Sequence, residues 1–141
     1  MALTFPSPEW CAAFKDAVND NPKYREAGKD WTHGAVAFVV EKDTAIGLPE
    51  DAAMVLDVHE GTCRATHWVS RVRAEAEAPF VVAGRYDRWR EVLEGREDPI
   101  KAMMQNKLRL TKGHLPTIIR YVESSRQLVE SARTLESRWL A

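Results

Sequence analysis

The chain has 141 residues, 45% of them hydrophobic and 29% charged, with a formal net charge of −1. That length fits one domain, which at this size buries roughly 70% of the surface its unfolded form exposes and needs no metal or disulfide staples, and the composition excludes a disordered chain. Two cysteines, Cys11 and Cys63, make no disulfide framework, and no apolar run reaches the roughly 20 residues of a bilayer span, so the protein is expected in the reducing cytoplasm.

SPEWCAAFKDAVND, residues 7–20, opens the fold as a helix. Ser7 is placed to cap it and Pro8 suits its first turn. Trp10, Ala13, Phe14, Ala17 and Val18 recur at helical spacing and make one apolar face. A second helix starts at Asn21 and Pro22, with Tyr24, Ala27 and Trp31 continuing the apolar marking through NPKYREAGKDW. The period then changes to two. GAVAFVVEKD, AAMVLDVHEG and TCRATHWVSR are rich in β-formers, and HEGT between the last two supplies a glycine turn for a hairpin. Alternation puts Met54, Leu56 and Val58 on one face of the second strand, with Asp57 and His59 on the other. This predicts a sheet with one covered face and one partly wet face. FVVAGRY, after Pro79, is the fourth strand and NKLRLTK the fifth.

Helices interrupt the sheet between those last two strands. Asp87 is placed to cap RWREVLE, with Gly95 ending it, and Asp98 with Pro99 starts a short helix carrying Ile100, Met103 and Met104. The last element, LPTIIRYVESSRQLVESARTLESRWL, reads as one long helix striped by Leu115, Ile118, Ile119, Val122, Val129, Ala132 and Trp139. The order argues for a single α+β domain over residues 1–141, in which about five mostly antiparallel strands are covered by helices. Charge is uneven along it: residues 1–60 carry 5 Lys/Arg against 11 Asp/Glu, whereas residues 107–141 carry 7 against 3. A solvated helix face accounts for the basic end. Steering of an anionic ligand or a membrane surface toward the last helix is the functional alternative. No dense Lys/Arg cluster or aromatic RNA-reading motif accompanies the charge, so no nucleic-acid partner is expected.

Catalysis needs a nucleophile beside a base, paired carboxylates or a metal cluster, and none is evident, so no catalytic residue is assigned. His59, Cys63 and His67 lie across the predicted hairpin. Alternation leaves their relative faces open and no fourth ligand joins them, so ordinary strand residues are the plainer reading, and neither a metal nor a cofactor is expected. His33 and His114 sit beside glycines at turns, and Gly84, Gly95 and Gly113 are isolated rather than part of a phosphate-cradling loop. What remains is the apolar stripes, ordinarily core. The Met103–Met104 pair either fills gaps or lines a site that adapts to ligands of varied shape. Periodicity alone does not separate the two, and the residues read as a binding domain rather than an enzyme.

The stretch YDRWREVLEGREDPIKAMMQNKLRLTKGHLPTIIRY resembles the C-terminal signature of the sterol carrier protein type 2 family. In that signature a Trp-bearing helix, a Leu-x-Gly break, an Asp-Pro turn and a Gly-Lys-Leu-type strand precede a glycine and a final helix. The matching residues are Trp89, Leu93, Gly95, Asp98, Pro99, Ala102, Met104, Lys107, Leu108, Leu110 and Gly113. Upstream, FPSPEWCAAFKDAVNDNPKYREAGKDW, with Trp10, Asn19, Tyr24, Ala27 and Trp31, resembles the opening of bacterial and archaeal members. Met103 stands where an aromatic is common, Asn106 where glycine is common, and His114 where a small acidic or amide residue is common. These departures bear on the identity of the ligand rather than on the fold.

The resemblance implies an apolar tunnel between sheet and helices, walled by Trp89, Leu93, Ile100, Met103, Met104, Leu108, Leu110, Leu115, Ile118, Ile119 and Val122. Such a tunnel would bind and transfer hydrophobic ligands, namely fatty acids, fatty acyl-CoA or sterol-like lipids, without catalysis. An acyl chain leaves water at roughly 0.8 kcal/mol per buried methylene, so no strong polar anchor is required. Arg109, Lys112 and Arg120 are candidates to hold a carboxylate or a coenzyme A phosphate near the mouth, against plain surface roles for each. Two other readings stand beside this one: an accessory domain presenting acyl-CoA or steroid to a separate enzyme, and a structural interaction module closed on itself or in a homodimer. A transient membrane or enzyme partner and the oligomeric state are left open.

Overall fold

A computed structural model describes residues 2–140. The chain runs β1 (Leu3–Phe5), α1 (Pro8–Asn19), α2 (Pro22–Ala27), β2 (Val36–Glu41), a 3-10 turn (Thr44–Ile46), β3 (Ala52–His59), β4 (Thr62–Val69) and α3 (Arg71–Glu77). It continues through β5 (Phe80–Arg85), α4 (Tyr86–Leu93), α5 (Pro99–Met104), β6 (Leu108–Lys112), α6 (Leu115–Arg120), α7 (Val122–Arg133) and β7 (Ser137–Trp139). Local chemistry sets the starts. The side chains of Ser7, Asn21 and Asp98 each accept a backbone N–H of the first turn, and each is followed by proline at the start of its helix. Asp87 does not cap α4. That helix begins one residue earlier, at Tyr86, and Asp87 lies in its first turn, where a negative charge suits the helix N-terminus. The β3–β4 hairpin turns at Glu60 and Gly61, at φ 47° and 82°, the left-handed pair that matches the twist of the flanking strands.

Five strands form one sheet in the order β4-β3-β2-β5-β6. Only β2 and β5 pair in parallel; the other three pairings are antiparallel. Register brings Val36, Phe38 and Val40 of β2 beside Leu56, Met54 and Ala52 of β3, and beside Phe80, Val82 and Gly84 of β5. This face packs into the main core against Trp10 of α1, Tyr24 of α2, Trp89 of α4, Ile100 of α5, Ile118 of α6 and Leu128 of α7. The opposite face carries small residues: Ala37, Val39, Ala53, Val55, Val81 and Ala83. As the alternation predicts, that face is partly wet: α3 covers its centre, packing Ala74 and the following Ala78 among those side chains, while His67 opposite Val55 and Arg109 opposite Ala83 are exposed at its edges.

The last segment departs most from its sequence pattern. Tyr121, at φ −105° and ψ 38°, divides the expected long helix into α6 and α7. Tertiary contacts hold the break: the Tyr121 hydroxyl donates to the Asp30 carbonyl at 3.1 Å, and its ring meets Trp31 edge-on at 5.0 Å. Past Arg133 the chain leaves the helix, so Trp139 belongs to a strand, β7, paired in parallel with β1. Trp10 Nε1 donates to Ser137 Oγ at 2.9 Å and fixes this pair on α1. No helix among the described residues is long and apolar enough to cross a membrane.

Candidate functional site

Phe38 lies midway along the central strand on the helix-covered face, yet it is only half-buried where Val36 and Val40, on the same face, are buried. The helices do not close over it, and a cavity of about 60 Å³ remains. The sheet contributes Val36, Phe38, Val58, Val82 and Leu108 to its lining. Helices α1, α2 and α4 contribute Phe14, Tyr24, Trp89 and Leu93, and Trp31 comes from the loop after α2. Pro99 and Met103 of α5, Ile118 of α6, and Ser124, Ser125, Leu128 and Val129 of α7 complete it.

The two indoles are held by their N–H groups. Trp89 Nε1 donates to the Val39 carbonyl and Trp31 Nε1 to the Gly34 carbonyl, each at 2.8 Å. Neither donor is left to be satisfied by a guest. Gly84 makes the room: a Cβ there would lie 2.5 Å from Leu108 Cδ2 and 3.5 Å from Trp89 Nε1. Phe38 meets Phe14 at 6.4 Å and Trp89 at 5.1 Å between centroids, giving the floor of the cavity a continuous aromatic surface.

Among the described residues no charged side chain lines this space, and its polar side chains other than the indoles are Tyr24, Ser124 and Ser125. Burial pushes the Tyr24 phenol far above the ordinary tyrosine range, with a hydrogen bond to Ser124 opposing the shift only in part. The phenol is therefore a neutral donor at neutral pH. Charge appears just outside, where Arg126 Nε donates to Asp98 Oδ1 at 2.7 Å and ties α5 to α7. Burial works against the Asp98 carboxylate, but the hydrogen bonds from Arg126, Lys101 and Ile100 hold its pKa below the usual value.

Of the apolar residues singled out in the sequence, Trp89, Leu93, Met103, Leu108 and Ile118 line the cavity. Ile100 is buried in the core, Leu110 and Val122 pack half-buried against it, and Leu115 is half-buried outside the lining. Met104 is 67% exposed and Ile119 43% exposed. Each follows a lining residue by one position, and one helical step rotates a side chain by about 100°, away from the space its neighbour faces. The candidate anchors are engaged elsewhere: Arg109 pairs with Glu41, and Lys112 Nζ donates to the Glu75 carbonyl at 2.7 Å. Arg120 is exposed and outside the lining.

Sequence reasoning missed Phe14, Tyr24, Trp31, Phe38 and the two serines as lining. The interruption of an apolar stripe by Ser124 and Ser125 was the available signal. The three hairpin residues do not converge. Cys63 is fully buried, with its thiol pushed up to about 11 chiefly by burial. Its backbone N–H donates to Asn19 Oδ1, and its carbonyl accepts from Asn19 Nδ2, both at 2.8 Å. His67 is exposed opposite Val55, and His59 lies 3.1 Å from Glu60. No group of three or more His, Cys, Asp or Glu side chains among the described residues is placed to hold a metal.

The sequence profile of the SCP-2 sterol transfer family matches residues 13–113. A crystal structure of sterol carrier protein 2 is 36% identical to this chain, with a TM-score of 0.83, covering 92% of this chain and 97% of that one. The solution structure of a conserved hypothetical protein from Thermus thermophilus, described as a candidate sterol carrier protein, is also 36% identical. Its TM-score is 0.83, and the match covers 94% of this chain and 90% of that one. The apo form of sterol carrier protein 2 from Yarrowia lipolytica, 17% identical, shares the fold at a TM-score of 0.55 over 85% of this chain and 86% of that one. No curated protein matches the chain significantly.

Proposed function

Because this chain belongs to the SCP-2 sterol transfer family, we propose that it binds and transfers long-chain lipids, fatty acids or fatty acyl-CoA, in the cavity over Phe38, without catalysis. The observation that carries this reading is the half-buried Phe38 at the centre of an otherwise closed core, under a lining with no charged side chain. An acyl chain of about 14 methylenes offers roughly 11 kcal/mol on leaving water. Micromolar affinity needs about 8 kcal/mol, which leaves a margin for the cost of association. A charged headgroup, carboxylate or coenzyme A phosphate, stays outside, because nothing in the lining compensates its charge. With no histidine, cysteine or carboxylate in the lining, the site has no base to activate a nucleophile. Two free cysteines fit a cytoplasmic setting.

A ligand pocket ordinarily holds about 300 Å³ or more, so the present 60 Å³ must widen as lipid enters. The six-residue α2, α5 and α6 are the short elements of the wall. Titration with a fluorescent long-chain fatty acid is expected to saturate at about one per chain, one cavity holding one chain, and native mass spectrometry of freshly purified protein is expected to carry a co-purified lipid. Absence of saturable binding up to the solubility limit of the probe would sink the lipid role.

A further inference from the structure

We infer that the Tyr24–Ser124 hydroxyl pair makes the cavity selective for lipids carrying a neutral oxygen, a hydroxyl or carbonyl, on the part that enters. The inference rests on the lipid-binding reading above and names the class of lipid. Both residues line the cavity, and both are almost wholly buried, Tyr24 at 1% and Ser124 at 5% exposure. They come from different helices, α2 and the first turn of α7, and meet closely enough for the Ser124 hydroxyl to oppose the effect of burial on the Tyr24 phenol. Two hydroxyls bring two donors and several lone pairs, and one mutual bond uses one donor and one acceptor. A donor and further lone pairs lie outside that bond, beside an apolar space.

The pair is also fixed in place. Asn21 Nδ2 reaches Ser131 Oγ at 3.0 Å and Gln127 Oε1 at 3.2 Å, tying the start of α2 to α7. The Tyr24 ring lies against Gly28, whose added Cβ would come within 3.2 Å of it. Hydroxyls held this way lose little freedom on meeting a guest, which favours recognition. The oxygen they accept must be neutral. The lining contains no cation, and an unpaired carboxylate in an apolar space is strongly disfavoured. A purely hydrocarbon tail, in turn, leaves the spare donor unmet.

Hexadecanoate and 16-hydroxyhexadecanoate test this directly, since both keep a carboxylate outside and differ only in the end that enters. In a wholly apolar cavity the added hydroxyl weakens binding by about tenfold or more. The wild-type protein is expected to bind the hydroxy acid within about threefold of the parent acid, or more tightly, as a compensating hydrogen bond would allow. Tyr24→Phe and Ser124→Ala are each expected to weaken the hydroxy acid by about three- to tenfold more than they change hexadecanoate, so that the ratio of the two affinities moves. Ser124→Ala removes less bulk, so it serves even where Tyr24→Phe disturbs folding. Variants that change both acids equally, or neither, overturn the selectivity while lipid binding stands. A wild-type protein that binds neither acid overturns both readings.

Discussion

Replacing Asp98 separates two tasks that one carboxylate performs at the α5–α7 seam. Its Oδ2 accepts from the Ile100 N–H at 3.1 Å and the Lys101 N–H at 3.0 Å, capping α5, while Oδ1 takes Arg126 at 2.7 Å. Loss of such a cap to alanine costs about 1 kcal/mol, within a range of about 0.5–2. The ion pair adds little, because both partners are open to solvent. Asp98→Ala is therefore expected to lower stability by about 1 kcal/mol, near 3 °C in melting temperature for a domain of this size. Asp98→Asn keeps the cap and should lose only a small part of that. Arg126→Ala should match Asp98→Asn. Urea denaturation followed by tryptophan fluorescence reports all three. The sign with pH follows from a folded-state pKa held below the unfolded value: the carboxylate's contribution is complete above about pH 4 and is lost as pH falls through the lower, folded-state value. The gap between wild type and Asp98→Asn should accordingly close only in acid. If Asp98→Asn proves as costly as Asp98→Ala, the ion pair rather than the cap holds α5, and the reasoning is wrong.

Met103→Trp, which places bulk in the cavity, should weaken fatty-acid binding by about tenfold, the worth of two displaced methylenes. Met104→Trp on its exposed neighbour should leave both affinity and melting temperature unchanged, and equal effects would move the cavity away from α5. Cys63, buried and with its thiol raised to about 11, should resist a thiol reagent at about pH 8 until the protein unfolds; rapid labelling of the native protein would show that β4 opens locally.

Where the run of β-formers was long, the sequence was transparent: β2 to β5 follow those runs, β6 falls within NKLRLTK, and the Glu60–Gly61 turn sits where HEGT puts it. Helix α3 was not visible, because RVRAEAE shows the sheet only Ala74, a stripe too thin to register as a period. The break at Tyr121 left no local mark either. No glycine or proline stands there, and what bends the chain is a hydroxyl reaching Asp30 and a ring reaching Trp31, both distant in sequence. The site divides in the same way. Trp89, Leu93, Met103, Leu108 and Ile118 came from an ordered local pattern. Phe14, Phe38 and Val58 are indistinguishable in sequence from core residues, and only the incomplete closure of helices over sheet sets them apart.

The pairing of β1 with β7 joins the first and last strands of the described residues, and this predicts an order of events in folding. Closing a loop of roughly 130 residues costs about 2 kcal/mol more chain entropy than closing one of about 10, such as the β3–β4 hairpin. Three residues in each strand return little until Phe5 has settled against Trp10 at 4.7 Å and Trp139 at 5.6 Å. The two ends therefore zip last and part first. The amide hydrogen of Leu3, bonded to the Glu136 carbonyl at 2.9 Å, should exchange with solvent well before those of β2 at the centre of the sheet.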